Sequence, residues 1–288
     1  MPRSKVFLIT GCSSGFGNAL VQKCLDAGDK VVATSRQPGH LRFANANQRN
    51  YLAVGVDLGC SDSIQAAFDQ TVTTFGRVDV VVNNAGFGLC GAFEELTDHD
   101  IQSVMDVNLM GVVRVTRAAL RVMREINNPP GGLIQQITSI AGQCGMPAVS
   151  AYCASKWAVE GLTESIAKEM NPEWNIKLTC IEPGGFRTEW AHKNMHFRHP
   201  KQILPAYDHL PAEEIMCSMG EEQAGNPVKG AAAIHQLAHM QNPPLRCLLG
   251  SEAFGAMEAK LKHYGDTYRE FESFALLLDW DGVSPITM

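Results

Sequence analysis

Apolar positions along this chain recur in two rhythms. Short runs that are apolar almost throughout, rich in Val, Ile and Leu, fall at 5–10 (KVFLIT), 30–35 (KVVATS), 51–57 (YLAVGVD), 78–84 (VDVVVNN), 132–139 (GLIQQITS) and 176–183 (IKLTCIEP). A strand with one wet face alternates apolar and polar residues, so unbroken apolar runs point to strands covered on both faces. Between them lie stretches of helical length and period, such as 61–76 and 98–126, with Thr97 or Asp98 placed to cap the second. Repetition of strand, helix, strand requires right-handed crossovers, and therefore an α/β fold with a doubly wound parallel sheet between layers of helix.

The rhythm breaks near residue 185. The segment 185–227 gains prolines and large apolar residues, among them Trp190, Met195, Phe197, Ile203 and Leu204. It reads as a lid inserted over a site, because a long irregular stretch in a compact α/β protein is usually functional. A helix at 228–241, a strand at 246–250 and a closing helix at 252–274 follow, so residues 1–288 read as one domain. A net charge of −6 offers no electrostatic reason to expect nucleic acid or an anionic membrane as partner. Nine scattered cysteines include no C-x-x-C pair, and no N-x-S/T acceptor occurs, which fits a reducing compartment and a cytoplasmic location. The first apolar run, Val6 to Thr10, ends at a glycine and is too short to span a bilayer.

Candidate chemistry clusters at strand ends. In LITGCSSGFGNAL (8–20) the glycines fall as G-x-x-x-G-x-G, at Gly11, Gly15 and Gly17, just after the first strand and before a helix starting near Phe16. Glycine lets backbone N–H groups approach a pyrophosphate, a helix N-terminus favours its charge, and Ser13 and Ser14 add hydroxyls. A tight turn with no ligand would look similar. The second strand ends in Ser35 and Arg36, with no acid where NAD-binding proteins hold the ribose hydroxyls. An arginine there pairs with a 2′-phosphate, which points to NADP(H); the alternative is a solvated loop cation. Tyr152 and Lys156 share a helix face one turn apart. Lowering a tyrosine by three units takes about 4 kcal/mol, within reach of a nearby ammonium and a nicotinamide cation. Such a pair also occurs on ordinary helix surfaces.

Two histidine groups have spacing that raises the question of a metal. HQLAH (235–239) has metalloprotease spacing, but Gln236 stands where the catalytic Glu belongs, so the expectation is two helix-surface histidines. His192, His196 and His199 in the lid have no cysteine nearby; with Lys193, Arg198 and Lys201 they read as a cationic flap facing an anionic substrate, cofactor phosphates or solvent. No metal site is expected.

Further residues complete a pattern: NNAG (83–86) ends the fourth strand, Asn108 interrupts the apolar DVNLMG, and Ser139 ends a strand thirteen residues before Tyr152. With TGCSSGFG (10–17), Asp57, YCASK (152–156) and PGGFRT (183–188), the chain resembles the short-chain dehydrogenase/reductases of the main single-domain group over about residues 5–250. The resemblance implies a Rossmann-type fold and a catalytic set of Asn108, Ser139, Tyr152 and Lys156. Tyr152 would act as general acid or base. Lys156 would lower its pKa and hold the nicotinamide ribose, Ser139 would bind the substrate oxygen, and Asn108 would anchor a water leading from Lys156. Gly11, Ser13, Ser14, Gly15, Phe16 and Gly17 would cradle the phosphates. Asp57, with Leu58 beside it, would bind adenine, and Asn84, Ala85 and Gly86 the adenosine ribose. Pro183, Gly184, Phe186 and Thr188 would hold the carboxamide side.

The implied activity is NADPH-dependent interconversion of a ketone or aldehyde with an alcohol on a medium-to-large hydrophobic molecule. SGFG and EPGGFRT are also similar to the hydroxysteroid and retinol dehydrogenase branches, which leaves steroid, retinoid and polyketide carbonyls all open. An NAD-dependent alcohol dehydrogenase and a non-redox or regulatory relative are the alternatives. The family also implies a homodimer or homotetramer on helices 98–126 and 151–170, where Ala158 and Gly161 permit close packing.

Overall fold

The computed structural model describes residues 4–199, 202–276 and 278, so Lys201 lies outside the described residues. In chain order the strands are β1 (Val6–Ile9), β2 (Lys30–Ser35), β3 (Tyr51–Gly55), β4 (Val80–Asn83), β5 (Gly88–Cys90), β6 (Gly132–Ile137), β7 (Ile176–Pro183), β8 (Met195–Phe197) and β9 (Arg246–Leu249). Seven of them form one parallel sheet in the order β3-β2-β1-β4-β6-β7-β9. The order reverses between β1 and β4, and a crevice opens beyond the carboxyl ends of the strands at such a point.

Successive strand residues face opposite sides, and both sides are covered, as the unbroken apolar runs require. Phe7, Ile9, Val31 and Val80 pack under α1 (Gly15–Asp26) and α7 (Pro227–His239), against Leu20, Val21 and Ile234. Leu8, Val32, Val81 and Ile134 pack on the other face under α2 (Ser61–Phe75) and α4 (Val112–Glu125), against Phe68, Ala119 and Val122. Each of the larger side chains contributes about 1.5–3 kcal/mol by leaving water.

Three expectations change. The stretch 98–126 is not one helix: α3 (Asp98–Met105) and α4 are separated by a π-helical turn, Asp106–Gly111, which carries Asn108. Thr97, not Asp98, caps α3, its hydroxyl accepting from the Asp100 amide at 3.1 Å. The lid is more ordered than its composition suggests, because β8 pairs in parallel with β5 and a helix, α6 (Ala212–Glu222), follows. Nor are His235 and His239 surface residues. Both rings turn inward to Asp29 Oδ2, at 2.7 and 3.0 Å. Among the described residues no helix is long and apolar enough to cross a membrane.

The far half of the sheet is tied by carboxylates, two of them, Glu160 and Glu182, buried. Arg246 on β9 reaches Glu160 and Glu164 of α5 (Ser150–Glu169) at 3.0 and 2.8 Å, and lies 3.7 Å from Glu182 on β7. Burial, then the neighbouring Glu160, push the Glu182 carboxyl up to about 7, against Gln143 and Arg246, which act downward. A carboxyl raised above its ordinary 4.5 keeps its proton in the folded state over an interval where the unfolded chain has released it. Its contribution is therefore complete below about pH 4.5 and lost as pH rises through about 7. Glu182→Gln is expected to abolish that loss, so wild-type urea midpoints should fall relative to the variant's between pH 5 and 7.5. Parallel curves would show that Glu182 holds no such proton.

Candidate active site

The glycine loop after β1 is shaped by contacts beneath it. Gly11 has φ +70°, and a Cβ there would stand 2.7 Å from the Ala85 Cα. At Gly17 a Cβ would stand 2.4 Å from the Gly11 carbonyl oxygen and 2.5 Å from Asn84 Nδ2. The Asn84 amide donates to the carbonyls of Thr10 and Gly11 at 2.8 and 3.0 Å, while Thr10 Oγ1 accepts from the amides of Asn84 and Ala85. These bonds fold the loop down onto the end of β4. Ser14 sits at the N-cap of α1 without a side-chain cap bond, so its hydroxyl does not cap the first-turn N–H groups.

From this loop a cavity of about 430 Å³ runs along the carboxyl ends of the strands. Arg36, Asp57 and Leu58 border one end, and Ala85 and Gly86 the middle. Ser139, Tyr152 and Lys156 border the other, facing Pro183, Gly184 and Thr188. Arg36 is exposed and free to turn toward a ligand. Asp57 uses one carboxylate oxygen to accept from the Gly59 amide at 2.8 Å.

At the far end the helix spacing works as expected: Tyr152 and Lys156 project from one face of α5, with the Lys156 Nζ 5.7 Å from the centre of the Tyr152 ring. Both are buried. Burial pushes the Tyr152 hydroxyl up, and the hydrogen bond with Ser139 acts downward. Burial also brings the Lys156 amine down to about 8, with Glu160 opposing. The amine donates to the Ile137 carbonyl at 2.8 Å, fixing it below the β6 end. Ser139 caps the following turn, accepting from the Ala141 amide.

Asn108 lies behind this group and is wholly buried. Its Oδ1 accepts from the Phe87 amide at 3.1 Å; its Nδ2 donates to the Phe87 carbonyl at 2.9 Å and to Ser155 Oγ at 3.2 Å. A π-helical turn at such a residue is a recurrent feature of functional sites.

The lid closes the substrate side. Trp190 packs on Tyr152 with ring centres 4.9 Å apart, His196 lies tilted against Phe87 at 4.4 Å, and Asn194 donates to Ser14 Oγ at 3.3 Å. Met146, Val149, Met216 and Met219 supply apolar wall. The cationic flap is largely neutralised: Arg198 is paired with the buried Glu95 and with Glu213, and Lys193 with Glu189.

The family model for short chain dehydrogenases matches residues 5–198. The chain belongs to the short-chain dehydrogenase family. It is 38% identical over 270 residues to an uncharacterized oxidoreductase of Schizosaccharomyces pombe, covering 92% of this chain and 88% of that protein. It is 35% identical over 246 residues to a 3-ketodihydrosphingosine reductase of Bacteroides thetaiotaomicron, covering 85% and 88% of the two chains. A short-chain dehydrogenase structure from Streptomyces avermitilis superposes with a TM-score of 0.85 at 33% identity, over 96% of this chain and all of the other. This dehydrogenase is thus an oxidoreductase with the family's parallel seven-stranded sheet.

Of the residues singled out in the sequence, two lie behind the cavity rather than on it. Gly17 permits the loop to pack, and Asn108 fixes Phe87. The Phe186 ring turns into the core against Phe16, 4.8 Å between centres, although the residue borders the cavity. The dehydrogenase's Met146, Val149, Met216 and Met219 carry no mark of what they face, since the first two lie outside regular elements and the last two on a short helix whose period does not show which side meets the cavity. Gly17→Ala forces overpacking against backbone, which costs about 1–3 kcal/mol, and should lower the thermal midpoint by several degrees. An unchanged melting curve would show that the loop can move aside freely.

Proposed function

We propose that this dehydrogenase reduces a ketone or aldehyde on a medium-to-large hydrophobic molecule, reversibly, with NADP(H). The observation that carries the reading is the convergence of Ser139, Tyr152 and Lys156 at one end of a cavity whose other end is a glycine loop and an uncapped helix terminus. The residues present fit a dinucleotide. The left-handed glycines Gly11 and Gly15 leave room for phosphates, and a Cβ on Gly86 would stand 3.6 Å from the Lys156 amine, in the path of a ribose. Gly11, Ser13, Ser14, Gly15 and Phe16 would hold the phosphates, Asp57 and Leu58 the adenine, Asn84 to Gly86 the adenosine ribose. Pro183, Gly184, Phe186 and Thr188 would take the carboxamide side.

Bound there, the reduced nicotinamide supplies a hydride to the carbonyl carbon. Ser139 and Tyr152 approach the carbonyl oxygen together, and Tyr152 gives it the proton. The ammonium of Lys156, below its ring and held by the Ile137 carbonyl, stabilises the tyrosinate left behind. Asn108 acts by position, since its amide already serves Phe87 and Ser155. The methionine-lined wall suits a flexible apolar substrate, and the name of the Bacteroides relative supports ketone reduction as the working direction. Arg36, with no acid beside it at the end of β2, supports a 2′-phosphate. A cytoplasmic homodimer or homotetramer joined through α4 and α5 belongs to the same reading.

Tyr152→Phe should lower turnover by a factor of about 10²–10⁴ while NADPH affinity, read by nucleotide fluorescence, stays within a few-fold. Undiminished turnover would remove Tyr152 from its role. Arg36→Ala should raise the KM for NADPH by about tenfold or more, the loss of a charge-assisted bond, and leave that for NADH unchanged. A wild type that prefers NADH would overturn the NADP assignment.

A further inference from the structure

We propose that Cys24, Asp29, His235 and His239 form a binding site for a divalent transition-metal ion, zinc by its donor set, at the end of the sheet opposite the active site. The sequence shows only the i, i+4 histidines. The fold adds two ligands from 200 residues away: Cys24 from the last turn of α1, and Asp29 from the turn that leads into β2. The Sγ of Cys24, a carboxylate oxygen of Asp29 and a ring nitrogen of His235 all lie within 4.8 Å of one another. Nε2 of His239 lies 3.0 Å from the same Asp29 Oδ2 that His235 approaches at 2.7 Å.

Four features distinguish this group from a chance meeting of polar side chains. One thiol, one carboxylate and one imidazole lie together, with a second imidazole on the same carboxylate oxygen, a borderline-soft donor set that suits zinc. The second carboxylate oxygen, Oδ1, accepts the Lys5 amide at 2.8 Å, which orients Oδ2 in the manner of the outer partners that hold metal ligands. Phe7 packs against both imidazoles, with ring centres 5.9 and 6.1 Å away, and limits their rotation. Cys24 is wholly buried and points at the group, and its thiol finds no hydrogen-bond partner among the described residues.

A dication with one thiolate and one carboxylate is electrically neutral, so the loaded site leaves no uncompensated charge in the interior. On loading, the Cys24 thiol proton leaves to solvent, and each imidazole binds through Nε2 while keeping its one proton on Nδ1. The histidines, 13% and 19% exposed, mark the way in from the α7 side. The ion would join α7 to α1 and to the amino ends of β1 and β2, as a structural staple away from the chemistry.

The test uses the full chain, stripped with a chelator and titrated with Co²⁺, then Zn²⁺. The expected result is one equivalent of Co²⁺ with the visible bands of tetrahedral coordination and a near-ultraviolet thiolate band, displaced by Zn²⁺. Zn²⁺ should raise the thermal midpoint of the wild type by several degrees. Cys24→Ser should abolish the thiolate band, and His235→Gln should weaken Co²⁺ binding at least tenfold and erase the Zn²⁺ stabilisation. Circular dichroism of each stripped variant checks that it is folded; if His235→Gln is not, His239→Gln takes its place. Absence of stoichiometric binding overturns the proposal. So does binding that neither variant alters, which would place the ion elsewhere, and so does loss on the histidine change with none on Cys24→Ser, which would exclude the thiol.

Discussion

Asn108 grips both backbone groups of a single residue, Phe87, as a neighbouring strand would, and the Tyr152 and Lys156 end of the cavity depends on that grip. The chain leaves β4 at Asn83 and must cross above the sheet without a ladder to hold it. A buried amide with three well-placed partners supplies the missing ladder, and its second donor binds Ser155 on α5, one residue before Lys156. The π-helical turn that carries Asn108, the crossing segment and the catalytic helix are thereby held at one point. Phe87 is half-buried, so leaving its backbone groups unpaired would cost up to about 1–3 kcal/mol each. The geometric consequence is larger, because the Lys156 amine lies just beyond Gly86.

Desolvation sets the electrical state of the site. It raises the Tyr152 hydroxyl and lowers the Lys156 amine, so both are driven toward their neutral forms. The same loss of water makes any attraction between a tyrosinate and an ammonium stronger than it would be at the surface. Ser139 adds a hydroxyl beside the Tyr152 oxygen, and its hydrogen bond acts against the effect of burial there.

Much of this was legible in the chain. Apolar strands marked the sheet, glycines marked the turn after β1, and spacing placed Tyr152 and Lys156 on one helix face. Those features are local, and local sequence encodes them. What escaped was set by partners far along the chain. DVNLMG has nothing to forbid a plain helix, and the π-helical turn arises because Phe87 and Ser155 claim the Asn108 amide. Arg198 looked like a free cation until the fold brought Glu95 beneath it. HQLAH revealed that two histidines share a face, but periodicity is silent on what that face meets, and Asp29 comes from the opposite end of the sequence. Gly17 is tight against the Gly11 carbonyl and Asn84, and a sequence cannot separate a glycine needed for packing from one needed for a ligand.

The pairing of β5 with β8 has one more consequence, for how such a protein can change over time. Main-chain bonds from Gly88 to Asn194 and from Arg198 to Cys90 hold the middle of the lid without calling on any particular side chain. Trp190 stays over Tyr152 on one side of that anchor, while the stretch from Ile203 through α6 lies on the other. Substitutions in that outer stretch can remodel the pocket wall and leave the reacting groups undisturbed. Substrate range can drift in a lineage while the chemistry is inherited intact.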